Sequence, residues 1–424
     1  MRPSQYALHA CLSGILLASS AVDSAAVAAP ATPQDWHWVA SWGTAQQVPE
    51  SNNELAAEHW RQSSLRQIVH VTLGGSRLRV RISNAYGNAP LVVDGASVAI
   101  TRAPGRADID PATLRALTFN GHASVTVPAG AEYYSDAVAL DHAAGSDLAV
   151  SMYFNDVPAR QTGHPGSRAT SFYTPGDHVA DSAWPQAGKV EHWYQLADIE
   201  VQAPRKVGAV VAVGDSITDG HGATTDGNDR WPDQLAARLA RAGTPMGVVN
   251  AGIGGGRMLL DGLGPNLAAR FDRDVLSRSG VTHAIVLIGV NDLGSLHRNT
   301  SDLPAARQQM LAALEGAQRQ LVERAHAHGI CVIGATLTPY TGSDYYHPNA
   351  DNEADRQALN AWIRNSGVFD GVADFDAAVR DPQQVPRMSK QADSGDGLHP
   401  SPAGYRALAD AVPLAALSHC DARR

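Results

Sequence analysis

The chain has 424 residues, 44% of them hydrophobic and 18% charged, with a formal net charge of −9. That length exceeds the usual single core and predicts two domains, and the composition is globular, with no coiled-coil or disorder signature. An acidic balance with lysine only at Lys189, Lys206 and Lys390 argues against nucleic acid as a partner, since phosphate binding needs a basic face.

Residues 1–29 read as a signal peptide. Arg2 is the only charge before Asp23, "CLSGILLASSAV" is a short apolar run, and small residues surround Ala28 and Ala29. One basic residue, a short core and an A-x-A-like site predict export to the periplasm or the exterior. The plain alternative is an irregular apolar N-terminus. Cys11 precedes most of the run and is not read as a lipid-attachment site. No later segment reaches the roughly 20 apolar residues of a membrane span. After cleavage two cysteines remain, Cys331 at the start of an expected strand and Cys420 after the last expected helix. Those ends share one side of an α/β sheet, so a bridge is possible; two unpaired thiols are equally open.

Residues 36–203 predict a β-rich domain. "LRQIVHVTLGGSRLRVRISNAYG", "LVVDGASVAI", "ASVTVPAG" and "SDLAVSMYF" are short strands with turn residues between them. That spacing suggests a sandwich or jelly roll. Trp36, Trp38 and Trp42 are expected in its core, with sugar stacking as the alternative. "QAPRK" at 202–206 reads as a linker. Residues 204–424 then alternate strands and helices. "AVVAV", "GVVNAG", "HAIVLIG", "ICVIGA" and "DGVADFDAAV" are the strands, and stretches such as "DQLAARLARAG" and "PAGYRALADAVPLAALS" the helices. Repeated βα units imply a parallel sheet covered on both faces, with ligands at the carboxyl ends of its strands.

The polar motifs fall at those ends: Gly214-Asp215-Ser216, Gly254-Gly255-Gly256, Asn291-Asp292, and Asp396 to Pro400 before the last helix. Serine becomes a nucleophile when a base takes its proton. His399 can be that base, and Asp396 can orient its imidazole. A glycine-turn N–H and the Asn291 amide suit an oxyanion. Ser216 as a helix cap is the plain alternative, but the polar, Gly-rich "ITDGHGATTDGND" after it predicts no prompt helix to cap. Asp215 and Asp292 read as residues that bond loop backbone. His347, in "DYYHP", repeats the Asp-x-x-His-Pro pattern and reads as a surface residue beside the cleft, with Tyr345 and Tyr346.

"GDSITDG", "NAGIGGG", "GVND" and "DGLHP" together resemble the ordered blocks of the GDSL, or SGNH, hydrolases, from about Lys206 to Leu417. The resemblance implies a flavodoxin-like sheet of five parallel strands and a serine esterase that uses no cofactor or metal. It implies Ser216, Asp396 and His399 as catalytic residues and Ser216, Gly255 and Asn291 as the oxyanion hole. Block two reads "GIGGG" where many relatives have a Ser-Gly-Asp/Asn-type sequence, so Gly254 stays open beside Gly255. "WVASWGTAQ", "DRWPDQLAARL" and "LGPNLAARFDRDVL" resemble a bacterial subgroup with an N-terminal β domain, described as arylesterase-like or linked to xylan degradation.

The expected function is an exported serine esterase acting on small acyl groups of carbohydrates, whether small molecules or polysaccharide. Aryl or short-chain lipid esters are the nearest alternative. Rivals of other classes are a carbohydrate-binding protein with a vestigial hydrolase domain and a metal-dependent phosphoesterase using Asp215 and Asp219. No Gly-x-Ser-x-Gly elbow, phosphate loop, dinucleotide fingerprint, Cys-x-x-Cys or His-Glu-x-x-His occurs.

Overall fold

The computed structural model describes residues 35–299 and 303–422. The expected signal peptide lies outside them. From Trp36 onward the chain forms one compact unit.

The C-terminal half is built on β1 (Ala209–Gly214), β2 (Gly247–Gly252), β3 (Val281–Leu287), β4 (Cys331–Ala335) and β5 (Gly371–Ala373). All pairings are parallel and the order is β2-β1-β3-β4-β5. That is the flavodoxin-like order, which reverses direction between β1 and β3. Every residue of β1 is buried, because helices cover both faces of a parallel sheet; this is why it reads as a continuous apolar run. The helices are α1 (Ser216–Asp219), α2 (Trp231–Arg241), α3 (Leu267–Phe271), α4 (Val290–Asn299), α5 (Leu303–Ala327), α6 (Ala350–Asn365), α7 (Phe375–Val379) and α8 (Pro402–Ala411). Trp231, at the start of α2, is fully buried and packs edge-on to Phe375 of α7.

Three boundaries differ from the sequence reading. A helix does begin at Ser216, and Asp215 caps it by accepting the N–H of Ile217 at 3.0 Å. One turn suffices because Gly220, at φ +109°, ends it. The fifth strand has only three residues, since Asp374 caps α7 at once. The last helix stops at Ala411, before Pro413.

Residues 36–204 form two large antiparallel sheets and two two-stranded ones, Leu91–Val93 with Val125–Val127 and Gly163–His164 with Trp193–Tyr194. Of the large sheets, one has the order Trp36–Gly43, Leu196–Pro204, Gly75–Ser83, Glu132–Tyr134, with Val138–His142 also on Gly75–Ser83. The other runs Gly188–Val190, Ser171–Pro175, Ser63–His70, Asp147–Phe154, Gly95–Ile100, Arg115–Ala116. Val80, Ile82, Ile199 and Val201 of the first share a core with Leu65, Val69, Val150 and Met152 of the second. The expected linker is partly strand: Gln202, Ala203 and Pro204 pair with Trp38, His37 and Trp36. The tryptophans divide. Trp42 is buried edge-on to Trp193, Arg79 lies over Trp38, and Trp36 is exposed.

The β-rich region is bonded to the parallel sheet. The buried Asp198 carboxylate pairs with Arg81 of its own sheet at 3.1 Å and with Arg278, between α3 and β3, at 2.9 Å. Arg278 also donates to the carbonyls of Ala197 and Thr44. Val248 of β2 donates its N–H to the Thr72 hydroxyl at 2.9 Å.

Cys331 opens β4 and is bridged to Cys420, closing a loop with a sequence separation of 89. Cross-links over loops of this length stabilise by limiting the unfolded chain. Cys420→Ser is expected to lower the unfolding free energy by about 2–4 kcal/mol in urea denaturation; an unchanged midpoint would mean the bridge constrains nothing.

Candidate active site

β1 delivers Ser216 to the carboxyl edge of the sheet. The buried guanidinium of Arg270 (α3) fixes that edge. It donates to Gly214 O and Ala251 O, both at 2.7 Å, and pairs with Asp274 at 2.6 Å, tying the ends of β1 and β2 together. Asn250 donates to Thr218 O at 2.7 Å and so holds α1 from below. Gly252 makes that approach possible: a Cβ there would lie 2.2 Å from Asp219 N.

Ser216 Oγ lies 2.8 Å from His399 Nε2, and His399 Nδ1 lies 2.6 Å from Asp396 Oδ2. Both Ser216 and His399 are only 8% exposed. An ionised carboxylate only accepts, so the ring proton sits on Nδ1 and the Nε2 lone pair faces the serine hydroxyl. Partial burial pushes the Asp396 carboxyl up, but the His399 side chain and the N–H groups of His399 (2.8 Å) and Leu398 (2.9 Å) outweigh it. They hold it well below the usual carboxylate range. The acid that orients the imidazole therefore stays ionised.

A cleft brings a set of donors to Ser216. Gly254 gives its N–H to Asp219 Oδ2 at 3.1 Å, whereas the N–H groups of Ser216 and Gly255 make no hydrogen bond among the described residues. Gly255 sits at φ +65°, a conformation suited to glycine. Asn291 lies 2.7 Å from Gly256 O and 2.6 Å from the Tyr346 hydroxyl. A carbonyl oxygen only accepts, so the atom facing Gly256 is Nδ2, and Tyr346 must donate to Oδ1. The other N–H of Asn291 makes no hydrogen bond among the described residues.

These residues line one cleft of about 800 Å³, with Arg257, Leu263, Ser343 and Tyr345 on its walls. A cleft of about 970 Å³ at the amino ends of the strands is lined by Lys206, Thr282, His283, Ser418 and Cys420 among others; there the His283 ring meets Thr282 and the Ser418 hydroxyl bonds Ala415 O, so no serine is hydrogen-bonded to a histidine among its described residues. His347 is exposed and does not line the 800 Å³ cleft. Asp292 accepts the N–H groups of Met258 and Leu259 at 2.9 and 3.2 Å; burial, against those bonds, pushes its carboxyl up to about 6.

The structure adds residues that sequence reasoning did not single out. The His221 ring centre lies 4.1 Å from that of His399, and its Nε2 is 3.9 Å from Asp396 Oδ2. Arg168, from the β-rich region, donates to His221 Nδ1 at 3.0 Å. An arginine cannot accept, so His221 carries its proton on Nε2. Its place in "GDSITDGHG" was a weak signal; Arg168, a long way off in sequence, offered none. Among the described residues two groups have the spacing of metal ligands, His221–Asp396–His399 and His283–Cys331–Cys420. The second contains the disulfide, and neither includes Asp215 or Asp219.

A parallel sheet with a serine–histidine–aspartate chain at its carboxyl edge defines a hydrolase-type α/β domain. Residues 212–407, just under half of the chain, match the GDSL-like lipase/acylhydrolase family model, and this segment is a GDSL-like hydrolase domain. Solved structures similar to it include a GDSL-like lipase from Bacteroides thetaiotaomicron, 20% identical. It covers 51% of this chain and 90% of that one with a TM-score of 0.37. An acetylxylan esterase from Geobacillus stearothermophilus is 22% identical over 50% of this chain and 97% of that one, with a TM-score of 0.35. No curated protein matches the chain.

Asp215 supplies a pH test. Burial raises its carboxyl to about 7, aided by Asp292 and opposed by the Ile217 N–H. The folded state therefore holds a proton that the unfolded chain releases near pH 4. This group's contribution to stability is complete below about 4 and is lost as pH rises through about 7. Asp215→Asn should flatten that fall in urea unfolding between pH 5 and 8; parallel curves for the two proteins would contradict it.

Proposed function

We propose that the protein is a serine esterase that hydrolyses acyl esters through an acyl-Ser216 intermediate. The observation that carries this reading is the unbroken chain Ser216–His399–Asp396, at 2.8 and 2.6 Å, opening on a cleft. His399 Nε2 takes the hydroxyl proton as Ser216 Oγ attacks the ester carbonyl. The N–H groups of Ser216 and Gly255 and the remaining Asn291 N–H receive the oxyanion. Gly255 is preferred to Gly254 because the Gly254 N–H is already used by Asp219. His399 then protonates the departing alkoxide, and water, activated by the same nitrogen, releases the acid. A vestigial site would be marked by a broken chain, and each link here is short.

The proposed substrates carry small acyl groups on carbohydrate. Tyr345, 63% exposed on the cleft wall, offers an aromatic face with a polar tip, a surface suited to a sugar ring. Residues 36–203 are read as a β-rich domain and 204–424 as the catalytic domain. Residues 1–29 are read as a signal peptide for export. A second reading, aryl or short-chain lipid esters, draws on Leu263, 57% exposed in the same cleft.

Ser216→Ala is expected to abolish hydrolysis of p-nitrophenyl acetate with the melting temperature retained. Asn291→Ala should lower kcat by roughly 10²–10³, as loss of other oxyanion donors does. Acetylated oligosaccharides assayed beside p-nitrophenyl esters of increasing chain length separate the substrate readings. Acetyl preference with sugar turnover supports the first, and rates rising with chain length support the second.

A further inference from the structure

The β-rich region reaches the site through residues 163–168. His164 closes the short strand Gly163–His164, which pairs with Trp193–Tyr194, and it is 3% exposed and stacks against Trp193; a loop follows at 165–168. Its Nδ1 lies 2.8 Å from the carbonyl of Ala45 and its Nε2 2.8 Å from Asp219 Oδ1. A carbonyl oxygen accepts only, so Nδ1 carries a proton. A second proton must then lie between Nε2 and the carboxylate, whichever atom it sits on. The imidazole thus grips Asp219 from outside the α/β domain.

Asp219 has two other attachments. It is the last residue of α1, three positions after Ser216, and its Oδ2 accepts the Gly254 N–H at 3.1 Å. Its carboxylate therefore spans the nucleophile turn and the glycine turn opposite. Bonding the Gly254 N–H orients the turn so that the N–H of Gly255 remains free. The loop is pressed onto this carboxylate: a Cβ on Gly166 would lie 2.0 Å from Asp219 Oδ2. The loop is also held by Arg230, which donates to Ser167 O at 3.3 Å.

We infer that His164 is a positioning residue for the oxyanion hole. By fixing the Asp219 carboxylate it fixes the Gly254–Gly255 turn against Ser216, so the β-rich region is a working part of the catalytic centre. The inference rests on the esterase reading above. An oxyanion donor acts through its placement, and small displacements of such groups cost rate more than binding.

The test compares kcat and KM for p-nitrophenyl acetate in the full chain, with active sites titrated by a p-nitrophenyl phosphonate so that misfolded protein is not counted. His164→Ala and Asp219→Ala are expected to lose on the order of 10- to 100-fold in kcat per titrated site, with KM little changed. Asp219→Asn should recover most of the loss seen in Asp219→Ala. Its amide can donate to a neutral His164 Nε2 while its oxygen still accepts from Gly254. The double variant His164→Phe/Asp219→Asn leaves no unpaired buried charge and keeps a ring against Trp193. It covers the case in which His164→Ala does not fold, and it too should lose kcat. Wild-type kcat per site in folded His164→Ala or in the double variant would overturn the inference and leave the esterase reading intact. Undiminished hydrolysis by Ser216→Ala would instead remove that reading, and this inference with it.

Discussion

The carboxylate of Asp198 is buried between two arginines that belong to different parts of the chain. Arg81 comes from the β-rich region and Arg278 from the segment leading into β3. Removing three charges from water is costly and is offset only when every partner is in place, since losing one strands the others. The cluster therefore tolerates little displacement between the two parts. The same segment carries Arg270, which clamps the carbonyls at the ends of β1 and β2, and Asp274, which pairs with it. One stretch of chain, residues 270–278, thus sets both where the β-rich region docks and where the strand ends hold Ser216.

Around the serine, orientation follows from groups that can act in only one sense. Asp396 can only accept, so it places the His399 proton on Nδ1 and leaves Nε2 for the hydroxyl. Gly256 O can only accept, so it turns the Asn291 amide with its nitrogen inward and its oxygen toward Tyr346. Arg168 can only donate, so it selects the His221 tautomer. In each case the partner's chemistry allows only one direction of bond. The result is an arrangement fixed by the protein's own groups, which is what the proposed stabilisation of an oxyanion requires.

The fold was legible in sequence where periodicity carried it. The strands of the parallel sheet appear as unbroken apolar runs because both faces are covered, and the turn-rich spacing of the first half marks short antiparallel strands. Boundaries were less legible. Asp215 caps a one-turn helix at Ser216 although the residues after it look like loop, because Gly220 ends the helix after that turn. Leu196–Pro204 runs through a stretch that reads as a linker, because its pairing with Trp36–Gly43 comes from the far end of the region. The disulfide was open in sequence and is closed by the tertiary fold, which brings the Cα atoms of Cys331 and Cys420 to 5.5 Å.

The sequence by itself singled out Ser216, His399, Asp396 and Asn291 of the proposed site and left the glycine open between Gly254 and Gly255, because each motif sits at the carboxyl end of a strand or just before the last helix. That placement follows from chain order in a βα sheet. Only the tertiary structure decided which neighbours orient them. Tyr346 reaches Asn291 from 55 residues away, Arg168 reaches His221 across 53, and His164 reaches Asp219 across 55. Contacts of that kind leave no periodic or local trace. They exist because separate elements converge on one edge, and nothing in either partner's own stretch of sequence records the other.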